Sequence, residues 1–145
     1  MRMQELMKRR VETVSAKTSA NDARMRMRVA RIRHLVVTEG TRVVGVLSER
    51  DLGPGMEPLT STVGDVMTAP VVTAAGRTTL REAANMLRGR TIGCLPILEK
   101  ERLVGIVTTT DLLELLGKGA ERPSPVGRRP ILKDRGPRRK PFSPR

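Results

Sequence analysis

The 145 residues contain no tryptophan and no tyrosine, and the one phenylalanine is Phe142, close to the C-terminus. Any core is therefore aliphatic, built from Val, Ile, Leu, Met and Ala. The aromatic platforms on which proteins stack unpaired bases are missing. One cysteine, Cys94, and one histidine, His34, exclude a disulfide framework and a Cys/His zinc site within a single chain. No segment approaches the ~20 apolar residues of a membrane span, and the opening "MRMQELMKRR" lacks the apolar run of a secretory signal. A soluble, cytoplasmic protein is expected. Nucleophile–base pairs, metal clusters and phosphate-cradling Gly-rich loops are absent too, so the sequence argues against an enzyme and against a metal site.

Negative charge is scarce: 28 Lys and Arg face 15 Asp and Glu, a net +13 at pH 7. The excess is uneven. Residues 117–145 hold ten Lys or Arg against Glu121 and Asp134, together with six of the ten prolines. Like charges, frequent Pro and low hydrophobicity cannot offset the entropy of ordering, so 118–145 is expected to be a disordered basic tail. Only "ILK" at 131–133 offers a place for it to dock. Two roles stand side by side for this tail. It is either a solubilising extension or a contact for nucleic acid or an acidic protein, and contacts to phosphates weaken steeply with salt.

What the chain does have is itself, twice. Sliding the sequence by 60 residues aligns 3–52 with 63–112 without a gap, and 14 of the 50 pairs are identical, among them Met7/Met67, Val11/Val71, Gly45/Gly105 and Asp51/Asp111. A fixed period with shared polar positions means one structural unit used twice. The second copy has the clearer grammar. In "TTLREAANMLRGR", Leu80, Ala83, Ala84 and Leu87 share a helical face, Thr79 and Glu82 fit a capping box, and Gly89 is placed to end the helix. "LPIL" (95–98) and "RLVGIV" (102–107) flank the turn "EKE", which predicts a β-hairpin. "VVT" (71–73) predicts a short strand ahead of them and "DLLELL" (111–116) a helix after them. The order is strand, helix, strand, strand, helix.

This order resolves "RMRMRVARIR" (24–33), whose alternation of Arg with Met or Val imitates a basic β-ribbon. Its counterpart, 84–93, is mostly helix, so 24–33 is expected to be mostly helical too, with Ile32 beginning the passage into the strand "HLVV" (34–37). Ala20, Ala23, Met27 and Ala30 then face inward while Arg24, Arg28 and Arg31 lie on the outer side. That outer side is either a solvated face or a contact surface for phosphate or an acidic partner.

Both copies end alike, with "GVLSERD" (45–51) and "GIVTTTD" (105–111). Ser48 or Thr108, followed three residues later by Asp51 or Asp111, is a capping box before a helix. In the first copy little helix is left to cap, because Leu52 precedes "GPG" (53–55). The same carboxylate suits a vicinal diol such as ribose, and the hydroxyl beside a helix N-terminus suits a phosphate. His34 and Cys94 occupy equivalent positions before the next strand. His34 is either a structural residue or lines the cleft; Cys94 packs as a small apolar group.

The 60-residue unit resembles the cystathionine-β-synthase (CBS) domain, and the tandem resembles a CBS pair, or Bateman module. The resemblance rests on "DVMT" (65–68), "TTLREAANML" (78–87), "IRHLVV" (32–37) with "IGCLPIL" (92–98), "VVGVLSERDL" (43–52) and "LVGIVTTTDL" (103–112). It implies an α+β fold in which two βαββα units, 1–58 and 59–117, pack sheet against sheet about a pseudo-twofold axis. It also implies two clefts for a regulatory adenosine-containing ligand, such as AMP, ADP, ATP or S-adenosylmethionine, with no obligatory cofactor. Asp51 with Ser48, and Asp111 with Thr108, would hold ribose and phosphate. Adenine would meet Val11, Thr13, Arg33, His34, Leu35 and Val36 in one cleft. In the other it would meet Val71, Thr73, Gly93, Cys94, Leu95 and Pro96. Arg50 would meet a phosphate. Two departures stand out: Val36 replaces the more usual proline kept at Pro96, and Glu49 adds a negative charge beside the first site. A homodimer signalling in trans to a protein target is the expected assembly, with a dimerising scaffold as the alternative.

Overall fold

The structure, a computed structural model, describes residues 1–54, 60–90 and 92–120. Of the expected disordered tail, 118–145, residues 118–120 are instead the end of a helix, while the remainder, including 131–133, and the expected boundary at 58/59 lie outside the described residues. The elements are α1 (Met3–Leu6), β1 (Thr13–Ser15), α2 (Ala20–Ala30), β2 (His34–Glu39), β3 (Arg42–Ser48), a 3-10 turn (Glu49–Leu52), α3 (Val63–Val66), β4 (Ala74–Ala75), α4 (Leu80–Arg90), β5 (Cys94–Glu99), β6 (Arg102–Thr108) and α5 (Thr109–Ala120). Two three-stranded sheets result, ordered β1-β2-β3 and β4-β5-β6. In each, the first strand runs parallel to the second and the second antiparallel to the third. The mixed α+β fold with a twice-used unit is as the sequence implies.

The expected strand at 71–73 is displaced: β4 is Ala74–Ala75. Its register, Ala74 against Ile97, sets Thr73 opposite Pro96. Proline has no N–H to give, so the ladder cannot extend backward. At the equivalent point of the first sheet Thr13 pairs with Val36, whose N–H donates to Glu12 O at 3.1 Å, and β1 is one residue longer.

Helix α4 is capped as expected. The Thr79 N–H donates to Glu82 Oε1 (2.9 Å) and the Glu82 N–H to Thr79 Oγ1 (3.2 Å). Gly89, however, lies inside α4, which continues to Arg90. The equivalent helix α2 shows why: its stop is Arg31, one residue past the last helical position, at φ 59° in the left-handed region. Arg31 stands two positions beyond Val29, the repeat counterpart of Gly89. On α2 the buried face carries Ala20, Ala23 and Met27, whereas Ala30 is exposed. Arg24, expected outside, is 8% exposed. It lies next to the inward stripe, where an arginine's aliphatic stem can cover apolar surface, and its Nη2 donates to Asn21 Oδ1 at 3.0 Å. Arg28 and Arg31 face outward as expected. After Leu52 the first half has Gly53 at φ 79° and then Pro54, so the 3-10 turn stops where α5 runs on for twelve residues.

Met1–Leu112 form one compact unit containing both sheets; of Leu113–Arg145, only α5 residues are described. The short leading helices are exchanged between the halves. Met3 and Met7 join Ala83, Leu87, Leu95, Ile97 and Val107 in the second core, while Val63 joins Val14, Met27, Leu35, Val37 and Leu47 in the first. Backbone bonds fix the exchange: the Met3 N–H donates to Thr78 O (2.9 Å), and the Val63 N–H to Thr18 O (2.8 Å). Gly45 and Gly105 permit it. A Cβ on Gly45 would stand 2.7 Å from Met67 Sδ and 2.9 Å from Thr68 O, and one on Gly105 would collide with Met7. A third apolar cluster, Val36, Val46, Cys94 and Ile106, joins the facing sheets.

Candidate ligand-binding site

The register of each hairpin gathers the sequence-predicted polar residues. His34 pairs with Ser48 and Cys94 with Thr108, so strand start and strand end meet at one edge of each sheet. Closing bonds follow: the Glu49 N–H donates to Arg33 O (2.9 Å) and the Thr109 N–H to Gly93 O (3.0 Å). Arg33, His34, Ser48, Arg50 and Asp51 thus share one end of the first sheet, and Gly93, Cys94, Thr108 and Asp111 the equivalent end of the second.

Both carboxylates cap. Asp51 Oδ2 accepts the Ser48 N–H at 2.8 Å. Asp111 Oδ2 accepts the Thr108 N–H at 2.9 Å, and the Asp111 N–H donates to Thr108 Oγ1 at 3.1 Å. The second oxygens differ. Asp111 is 5% exposed and its Oδ1 takes the Lys8 ammonium at 2.8 Å. Asp51 is half-buried, and its Oδ1 accepts no protein hydrogen bond among the described residues. Lys8 was missed by sequence reasoning. Its signal was the mismatch Lys8/Thr68 at one repeat position, a charge gained in one copy.

The electrostatics centre on Asp51. Burial, then the Arg50 guanidinium, holds the His34 imidazole below its usual range, while Asp51 pulls the other way. The His34 ring crosses to the second half and packs on Gly93, where a Cβ would stand 2.7 Å from Nε2 and displace the ring. Burial, followed by the Asp51 charge, pushes the Cys94 thiol up to about 12. It is therefore a packed thiol, not a nucleophile. Arg33 and Glu49 approach to 3.9 Å but are mostly exposed, so the pair adds little.

The apolar candidates divide. Val11 and Val71 pack on the cluster between the sheets, and Cys94 and Pro96 are buried. Leu35 and Leu95 lie in the cores of their own halves, so only their backbone is left to a ligand. Thr13 is exposed and Thr73 half-buried. Beside this edge, α2 and the 3-10 turn enclose a cleft of about 430 Å³, lined by Arg24, Arg28, Arg50, Met27, Ile32 and Leu52 among others. Its floor is apolar, and its walls carry charge of both signs, three arginines and Glu49. Among the described residues, no group of three or more His, Cys, Asp or Glu could hold a metal ion, and no helix is long and apolar enough to cross a membrane.

The CBS-domain family pattern matches residues 3–52 and 63–118, so the chain belongs to the CBS-domain family, with two copies of the domain in tandem. Among curated relatives, inosine-5'-monophosphate dehydrogenase of Thermoplasma acidophilum is 33% identical over 106 residues, covering 72% of this chain and 21% of the dehydrogenase. Homoserine O-acetyltransferase of Methanohalobium evestigatum is 27% identical over 108 residues, 73% of this chain and 22% of that protein. The chain thus spans about a fifth of the curated relatives' length, and the match is to their CBS part. Among solved structures, a CBS-domain protein of Agrobacterium tumefaciens superposes with a TM-score of 0.73 at 27% identity, covering 80% of this chain and 99% of that one. The CBS domain pair of protein MJ0100, solved with 5'-methylthioadenosine and S-adenosyl-L-methionine, gives 0.75 at 23% identity, covering 82% and 98%.

Proposed function

We propose that the CBS pair is a regulatory module that binds an adenosine-containing ligand (AMP, ADP, ATP or S-adenosylmethionine) between its halves. The observation that carries this reading is the state of Asp51. One oxygen is spent on the Ser48 N–H, while the other, at a half-buried edge beside His34 and Arg50, has no protein partner among the described residues. A carboxylate so placed accepts the two hydroxyls of a ribose, Ser48 lies within reach of sugar or phosphate, and Arg50 answers a phosphate charge. Asp111 with Thr108 forms the second such site. The adenosine compounds bound by the MJ0100 pair support the choice of ligand class.

Binding regulates only if it favours one arrangement of the halves over another. The ligand would do so by bridging the edge of one half and the facing residues of the other, and the new arrangement would be read by a second copy or a protein target. The basic residues after 118 would serve as a further contact for an acidic partner or nucleic acid; removing 118–145 tests this, and unchanged retention of RNA or DNA sinks it.

Calorimetry with AMP, ATP and S-adenosylmethionine tests the site. Asp51→Ala is expected to lose about 1.5–3 kcal/mol of binding, the range for a hydrogen bond to a charged group. A thermal melt of the variant separates this loss from unfolding. Undiminished affinity in a folded Asp51→Ala chain rejects the ribose role.

A further inference from the structure

Residues 8 and 68 hold the same place in the repeat and make the same backbone bridge. Lys8 exchanges two hydrogen bonds with Ile106, both 3.0 Å, and Thr68 two with Val46, 2.8 and 3.2 Å. Each therefore lies along the strand that leads to the other half's capping carboxylate. In the second half the Lys8 side chain completes the approach, with Nζ 2.8 Å from Asp111 Oδ1. In the first half the equivalent residue is an uncharged threonine, and among the described residues none donates to Asp51 Oδ1.

We propose that Lys8 is a built-in latch on the second site, so that the module takes its adenosine-type ligand at Asp51 and admits one at Asp111 only after the ammonium is displaced. This rests on the reading of Asp51 and Asp111 as ribose acceptors. Three observations carry it. Both oxygens of Asp111 are engaged, one by the Thr108 N–H and one by Lys8. Asp111 is 5% exposed, so a diol cannot reach it without moving what covers it. Lys8 is 66% exposed while its backbone is pinned by the Ile106 bridge, so its ammonium can move off Asp111 with the backbone held in place. The device is a specificity filter on occupancy: one position of the repeat decides whether two equivalent sites bind alike.

The test is titration of AMP into the full chain by calorimetry, comparing wild type with Lys8→Thr and Thr68→Lys. One AMP per wild-type chain is expected, and two per Lys8→Thr chain, the added one abolished by Asp111→Ala. Thr68→Lys is expected to weaken the Asp51 site by about tenfold or more, the loss of one charged hydrogen bond. Where wild type binds AMP, Lys8→Thr binding no more of it than wild type overturns the latch. A wild type that binds none and a Lys8→Thr chain that binds one, lost with Asp111→Ala, leaves the latch standing and rejects Asp51 as the site. If neither chain binds AMP, the nucleotide reading fails and urea midpoints decide the latch. Lys8→Met lowering the midpoint in wild type but not in Asp111→Asn supports it, and equal shifts in both backgrounds overturn it.

Discussion

The first half ends β3 in Ser48 and caps a four-residue 3-10 turn with Asp51; the second ends β6 in Thr108 and caps a twelve-residue helix with Asp111. The two local patterns match, and so do the capping bonds of 2.8 and 2.9 Å from the Ser48 and Thr108 N–H groups. Everything that separates the sites comes from residues outside the pattern. Lys8 neutralises one carboxylate and Thr68 leaves the other alone. Pro96 shortens one sheet edge where Val36 extends the other. A histidine stands half-buried beside Asp51 where the second half has a buried cysteine. Duplication fixes the capping geometry of a binding edge, and single substitutions at its rim then set charge and access separately for each copy.

The comparison predicts how the halves respond to damage. The largest effect concerns the exchanged helices. Met3→Ala deletes a fully buried side chain and is expected to cost about 2–5 kcal/mol, the range for emptying a core methionine site. The loss should appear in β4, β5 and β6, although Met3 belongs to the first repeat. Hydrogen exchange by residue checks it; protection lost first in β1, β2 and β3 would break the exchange.

Next come the glycines under the methionines. Gly45→Ala and Gly105→Ala each force a Cβ against a thioether and a carbonyl oxygen, and each should cost about 1–3 kcal/mol by overpacking. Chemical denaturation of both variants compares the halves directly. Two matched losses confirm equal packing, whereas a harmless Gly105→Ala contradicts the seat drawn for Met7.

The smallest effect separates the halves by pH. His34 has its proton affinity lowered in the fold, below the usual 6.5. The unfolded chain therefore binds a proton that the native one refuses, and stability is fully present above about pH 6.5 and falls as pH drops through the window beneath it. His34→Gln should flatten that slope, since the second half has no titrating equivalent there. Asp65 and Glu82, held low by hydrogen bonds from Thr62 and Thr79, contribute only in a more acidic window, where their capping contribution is lost as they protonate. An unchanged slope near pH 6 in the variant would exclude His34 as its source.

Much of this was legible in the sequence because the repeat could be read against itself. The helical part of 24–33, which ends at Ala30, is legible from its counterpart against a misleading period of two, and the capping pair Thr79 and Glu82 from spacing alone. The misses are equally particular. The strand at 71–73 failed because pairing depends on which residue stands opposite, and Pro96 is opposite. Gly89 reads as a stop, yet α4 runs past it to Arg90, as α2 runs past Val29 to Ala30. Arg24 was placed outside because periodicity assigns a side by type, whereas a long side chain at the margin of the stripe can lie inward. Lys8 was missed because its partner is 103 residues away.

The sequence by itself determined the repeated unit, the order of its elements, the turn chemistry and the two capping carboxylates. These are consequences of interactions a few residues apart, or of a period visible along the chain. Only the tertiary structure decided that the leading helices change halves, that His34 rests on Gly93, and that Lys8 reaches one carboxylate while no described residue takes the second oxygen of the other. Each of those joins groups far apart in the chain, and only packing in three dimensions selects which distant side chain arrives.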